Sequence, residues 1–229
     1  MTHINLEAVD TDGAIREAAE QVSGDTRMSF LRKGAMAGGA ALSGGAILGA
    51  LVPGAAMAAS QKGRPPASFG KGDIGILNYA LTLEYLEAAF YDTAAKNGIV
   101  KNAALKAFLT ATKKDEDTHV ATLKQALGSK AAKKPSFDFG KAVTDVDTFA
   151  ATAYVLENTG VHAYIGQAFN ITTPAYLAVA LSIVTVEARH AGAIGLYLSK
   201  PITPNGPFDT GFTASKVLTA VNGTGFIKG

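Results

Sequence analysis

The sequence predicts an all-α fold: a four-helix bundle built from two helical hairpins joined by one long crossover and preceded by a leader segment. Three observations predict it. Four apolar segments of roughly 23 to 27 residues carry helical spacing, and at 1.5 Å per residue each would be about 35 to 40 Å long. Short turns separate the first segment from the second and the third from the fourth, which suits antiparallel neighbours, whereas about 19 residues separate the second from the third. At roughly 3.3 Å per residue, that connector is long enough to run the length of a bundle. No segment shows a convincing strand alternation.

The elements follow in order. Residues 1–25 are polar and net acidic; Arg27, Arg32 and Lys33 then precede an uncharged Gly/Ala-rich run over 34–61, within which lies Ala56-Met57-Ala58. Basic, apolar, small-x-small is the order of an export signal, so 1–58 is expected to be a leader cleaved near Ala58. The stretch Thr26-Arg27-Met28-Ser29-Phe30-Leu31-Arg32 resembles a twin-arginine leader with Met28 where the second arginine belongs, which leaves the route open. The expected location is periplasmic, cell envelope or extracellular, with a membrane met only through an uncleaved leader. Residues 59–72 read as a linker, 73–199 as the bundle and 200–229 as a tail packing on it.

Within the bundle, Asp73 reads as a cap for a first helix reaching about Lys96. The second runs from about Asn102 to Leu127, where Gly128 suits a helix C-terminus. The third runs from about Asp147 to Phe169, and Thr173 with Pro174 opens a fourth that extends to about Ser199. The Gly- and Pro-rich tail carries one short helix near 214–221.

Composition narrows the chemistry. A chain of 229 residues, 48% hydrophobic, can bury one sizeable core. Its net charge is +2, and residues 59–229 hold 17 Lys and Arg against 13 Asp and Glu with no dense basic block, which argues against nucleic acid as a partner. The absence of cysteine excludes disulfides, thiolate metal sites and iron-sulfur clusters. Any metal must be held by carboxylate and imidazole.

The glutamates supply the decisive pattern. From Ala59 onward there are only five, and four of them form a series with two histidines: Glu84, Glu116-x-x-His119, Glu157, Glu187-x-x-His190. Five Glu and three His over those residues predict roughly 0.09 Glu-x-x-His matches by chance, so two are not an accident of composition. Residues three apart project from one helical face, so each pair can reach one point. The apolar stripes say which point: Leu105, Phe108, Thr112, Glu116, His119, Leu123 in the second helix and Leu177, Leu181, Val184, Glu187, His190, Ile194 in the fourth. The other two helices offer Leu77, Leu81, Glu84, Ala88, Tyr91 and Ala153, Glu157, Gly160, Tyr164, while Asp115 and Asp117 point elsewhere. Four carboxylates turned into one apolar core would cost several kcal/mol per uncompensated charge. Two divalent ions match their −4, and hard oxygen donors with some imidazole favour two Fe or two Mn.

Other residues compete for roles. Glu87 is three residues from Glu84, and either could be the first helix's ligand; Glu84 and Tyr91, seven apart, share a face. Tyr91 and Tyr164 share faces with ligands, as hydrogen-bonding partners of them, as redox groups or as large core residues. His162 lies about 140° round its helix from Glu157 and is expected to meet a surface or another contact. Lys113, Lys114 and the lysine-rich 129–134 read as solvated.

One Glu from each of two helices with Glu-x-x-His from the other two resembles the ligand set of ferritin-like di-iron and di-manganese bundles. Resemblance of the Glu84 and Tyr91 face to the first helices of such bundles favours Glu84 over Glu87. Residues 70–227 also resemble the ferritin-like proteins called desiccation-related, through the segments 81–91 (LTLEYLEAAFY), 157–166 (ENTGVHAYIG) and 206–210 (GPFDT). The resemblance implies a ferritin-like bundle with a dinuclear carboxylate site, often in an exported protein. Three functions are then open. The first is metal-dependent oxidation, a ferroxidase or peroxide-consuming oxidoreductase whose partners are metal ions and O2 or peroxide. The second is a structural or stress-protective envelope protein stapled by its metals, and the third is iron storage, which needs a closed homo-oligomer.

Overall fold

A computed structural model of the chain describes residues 63–228. The leader expected over 1–58 lies outside them, as do the first residues of the expected linker. Four long helices form the bundle: α1 (Gly72–Asn97), α2 (Ala103–Leu127), α3 (Val146–Ala168) and α4 (Pro174–Tyr197), followed by the short α5 (Ala214–Gly223). Contacts are most extensive within the hairpins α1/α2 and α3/α4, while α2 against α4 and α1 against α3 complete the core. The all-α expectation holds but for two-residue strands, β1 (Ser136–Phe137) and β2 (Ile227–Lys228), which pair antiparallel with Ser136 opposite Lys228. Two residues carry no alternation, so nothing in the sequence marks them.

Local chemistry fixes the helix ends. The Asn102 side chain accepts from Leu105 N at 3.0 Å and Asp145 from Thr148 N at 2.8 Å, each satisfying a donor that the first helical turn leaves unbonded. Gly98 stops α1 in a left-handed conformation, where glycine is free of a Cβ clash. Asp73 departs from expectation: the N-cap of α1 is Lys71, and Asp73 sits inside the first turn. Its carboxylate instead accepts from Thr172 N at 3.0 Å and Thr173 N at 2.7 Å, capping the start of α4 across the bundle. Burial works to raise the Asp73 carboxyl, but the bonds from Thr173 and Thr172 outweigh it and hold it below the ordinary carboxylate range.

Helix α1 is apolar nearly all round and is buried to match, because the crossover covers the face that its neighbours leave open. Two asparagines on α1 pin that crossover. Asn78 donates to Lys130 O at 3.0 Å and accepts from Ala132 N at 2.8 Å, and Asn97 donates to Val143 O at 2.8 Å. The pins are 19 residues apart, about 28 Å along the helix axis, so the connector runs most of the bundle's length as its length predicts. Between them it sends Phe139, Ala142 and Val143 into the core.

In α4 the buried face is Ala180, Ile183, Glu187, His190, Ala191 and Ile194. Leu181, expected on that face, is 50% exposed. It lies six residues from Glu187, about 120° round the helix, and an all-round apolar helix offers no polar edge to reveal the error. The tail returns along α3, where Phe212 N donates to His162 O at 2.9 Å and the Phe212 ring stacks on the His162 imidazole at 4.1 Å. That approach needs a bare helix surface, since a Cβ on Gly166 would overlap the Phe212 backbone. Ala214, Val217 and Val221 of α5 are buried in the same cluster as Phe90 and Phe149.

Candidate metal centre

Each of the four bundle helices brings one carboxylate to the axis, and Glu84, Glu116, Glu157 and Glu187 are all 0% exposed. Left uncompensated, that charge would cost several kcal/mol per group. The side chains gather into two overlapping groups, Glu84 with Glu116, His119 and Glu187, and Glu157 with Glu116, Glu187 and His190. Within each group, one donor atom from every residue lies within 4.8 Å of the others. Glu116 and Glu187 belong to both groups and stand between the two ends. One end is completed by Glu84 and His119 of the first hairpin, the other by Glu157 and His190 of the second.

The donor atoms crowd within contact distance of one another. His119 Nδ1 lies 3.2 Å from oxygens of Glu84 and Glu116 and 3.3 Å from Glu187 Oε1. His190 Nδ1 lies 3.2 Å from Glu116 Oε1 and from Glu157 Oε2. One ring nitrogen cannot bond to two or three carboxylates at once. Glu116 Oε1 and both oxygens of Glu187 accordingly have close neighbours but no aligned hydrogen bond, although they are fully buried. Buried oxygen and imidazole donors directed at a shared point and left unsatisfied fit a cation at each end.

The carboxyls respond to their crowding. Burial, followed by the charge of Glu84, pushes Glu116 up to about 8, and burial followed by Glu116 pushes Glu187 well above the usual range. Glu84 is the exception: burial raises it, but the hydrogen bond and charge of His119 hold it low. Burial lowers His190, yet its contacts with Glu116 and Glu157 win and push it up to about 11. His119 rises too, against burial, through its contacts with Glu116, Glu187 and Glu84. Protons on these groups and cations between them are therefore alternative ways to balance one charge.

Two tyrosines brace the centre from opposite hairpins. The Tyr91 hydroxyl on α1 donates to Glu157 Oε1 on α3, and the Tyr164 hydroxyl on α3 donates to Glu84 Oε1 on α1 at 2.5 Å. Burial and the adjacent carboxylates raise both phenols well above their usual range, so they remain donors at neutral pH. Of the two glutamates left open on the first helix, Glu84 lies in the cluster and Glu87 outside it. Glu87 is buried in a narrow cavity beside Leu156, Thr159, Gly160 and Val221, and burial followed by the charges of Glu187 and Glu116 raises its carboxyl well above the usual range. His162 contacts the tail, with Nδ1 2.6 Å from Thr210 O.

Sequence reading missed the place of one residue at the centre, Asp115, and the role of another, Gly160. Asp115, expected to point elsewhere, reaches across to His190 and places Oδ2 3.2 Å from Nε2. Its signal is an acid directly before the Glu-x-x-His motif, but only the packing of α2 on α4 reveals what it meets. Gly160 makes room for a ligand, because a Cβ there would stand 2.5 Å from Glu187 Oε2.

A family model described as a ferritin-like domain matches residues 72–200. The chain belongs to the ferritin-like family. The matched span of this ferritin-like protein runs from the first residue of α1 to just past α4, so every clustered Glu and His falls inside it, whereas α5 and β2 lie beyond it. No curated protein matches the chain.

Proposed function

We propose that this ferritin-like chain is an exported dinuclear carboxylate protein that binds two Fe or two Mn ions and carries out oxidative chemistry, Fe(II) oxidation or peroxide consumption. One observation carries the reading: buried Glu116 and Glu187 belong to both donor groups, as ligands shared by two adjacent ions would. Glu84 with His119 and Glu157 with His190 complete the two positions. A bound pair of such ions supplies redox steps at neighbouring centres and a Lewis-acidic surface for O2 or peroxide. The chain's own residues define its setting. Tyr91 and Tyr164 fix the orientation of Glu157 and Glu84 by hydrogen bonds. Leu81, Phe90, Phe149 and Ile194 line a core that keeps bulk water from the carboxylates. Glu87, close to the shared ligands but outside both groups, is buried in the same interior, where burial and the charges of Glu187 and Glu116 raise its carboxyl.

Export rests on the basic, apolar, small-x-small order of the first 58 residues, and a desiccation-related identity on segments 81–91, 157–166 and 206–210. Anaerobic loading with Fe(II) or Mn(II), followed by peroxide or O2 and watched by absorbance, tests the activity. Two metals per chain with peroxide consumption support the reading; absence of metal uptake overturns it. Two metals that raise the melting temperature while turnover stays at background would instead make the site a staple of a protective protein. N-terminal sequencing of the native protein should begin near Ala59; a start at Met1 or Thr2 removes cleavage.

A further inference from the structure

We propose that the two ends of the centre are unequal metal positions: the end completed by Glu157 and His190 fills first and holds its ion tightly, and the end completed by Glu84 and His119 fills second and exchanges. The proposal rests on the dinuclear reading above and concerns the order and strength of loading.

The two histidines enter the centre alike. Both are nearly buried, with side chains 9% and 8% exposed, and both turn Nδ1 toward the carboxylates. Their outer nitrogens differ. His190 Nε2 lies 3.2 Å from Asp115 Oδ2, an acceptor that orients the ring and can take its Nε2–H when Nδ1 ligates an ion. Among the described residues no acceptor is bonded to His119 Nε2, whose ring contacts are all made through Nδ1. Among the described residues no side chain orients the His119 ring from its outer edge, whereas Asp115 holds that edge of His190.

The difference is written into two corresponding positions. Asp115 directly precedes Glu116 in one Glu-x-x-His motif, and Val186 directly precedes Glu187 in the other; both are half-buried. Asp115 also adds a carboxylate charge beside the His190 end alone. Removing a partner of this kind costs about 10- to 100-fold in metal affinity, and the two ends should differ by a ratio of that order.

Titration of the metal-free protein with Mn(II), following free Mn(II) by electron paramagnetic resonance, reads the two positions directly. The expected result is two successive phases of one Mn(II) each, separated at least about 10-fold in dissociation constant. Asp115→Ala should weaken the tight phase about 10- to 100-fold and merge the two, with helical content unchanged by circular dichroism. Val186→Asp should tighten the weak phase and leave the first in place. Two equal positions in the wild type, or an Asp115→Ala isotherm identical to it, overturn the proposal while leaving the dinuclear reading intact. Failure to bind two Mn(II) overturns the dinuclear reading and the proposal with it.

Discussion

The two hairpins furnish the centre with the same groups at nearly the same interval. Glu84 and Glu157 are 73 residues apart, as are Tyr91 and Tyr164, while Glu116 and Glu187 are 71 apart, as are His119 and His190. At the next position inward the match ends: Glu87 of α1 corresponds to Gly160 of α3, and both border one narrow cavity. Repetition is strict at the clustered ligands and at the two tyrosines that hold them, and it lapses at Glu87 with Gly160 as it does at Asp115 with Val186. At Gly160 the bare surface of α3 makes room for the Glu187 carboxylate of α4.

The sharpest way to break the correspondence is at the shared carboxylates. Glu116→Ala and Glu187→Ala should each empty both positions, measured as fewer than about 0.2 metals per chain after reconstitution, because each residue stands in both donor groups. Retention of one full metal by either variant would show that the groups do not share it. Next in size is Gly160→Ala. A helical Gly→Ala exchange ordinarily gains about 1 kcal/mol, but overpacking costs about 1 to 3 kcal/mol, and here the new methyl meets Glu187 Oε2 at 2.5 Å. The variant should lose metal and melt lower, whereas an unchanged metal content would mean that Glu187 has room to move.

Glu87→Gln sharpens the comparison from the other side. It keeps the shape and removes a carboxyl crowded by Glu187 and Glu116, so the metal-free protein should melt higher at pH 8 and still take up two metals. Loss of metal would make Glu87, not Glu84, the ligand from α1. The same crowding gives the metal-free chain a pH dependence. Glu116 rises to about 8 and His190 to about 11, so between their unfolded values and these the native state binds the extra protons. Stability must then fall as pH rises through that window, and the melting temperature of the metal-free protein should drop from pH 6 to pH 9. Metal loading should flatten the trend.

The smallest effect lies where the hairpins begin. Asp73→Asn weakens the cap that α1 provides for α4 and should cost about 1 kcal/mol at pH 7. Because the folded Asp73 carboxyl is lowered, its contribution is present at neutral pH and lost as pH falls through its folded value, so the two proteins should converge only below the ordinary carboxylate range.

Helix spans and inward-facing glutamates were legible in the sequence because both are local: a period of 3.6, Gly128 and Pro174 at helix limits, and an acid inside an apolar stripe. What escaped depends on a neighbour. Asp115 has no partner until α4 packs beside α2, Asp73 caps a helix 100 residues away, and Gly160 is informative only by what it leaves empty. Leu181 was misplaced for a different reason, since a helix apolar on most sides gives the pattern no contrast.

The tyrosine hydrogen bonds have a consequence for how the molecule comes together. Because Tyr91 holds Glu157 and Tyr164 holds Glu84, neither half of the chain owns a finished set of anchored carboxylates. Separately expressed fragments ending and starting within 128–145 would each expose acidic groups on an oily surface and would gain metal affinity only by reassociating. Ion uptake would then report fragment complementation as directly as any binding assay.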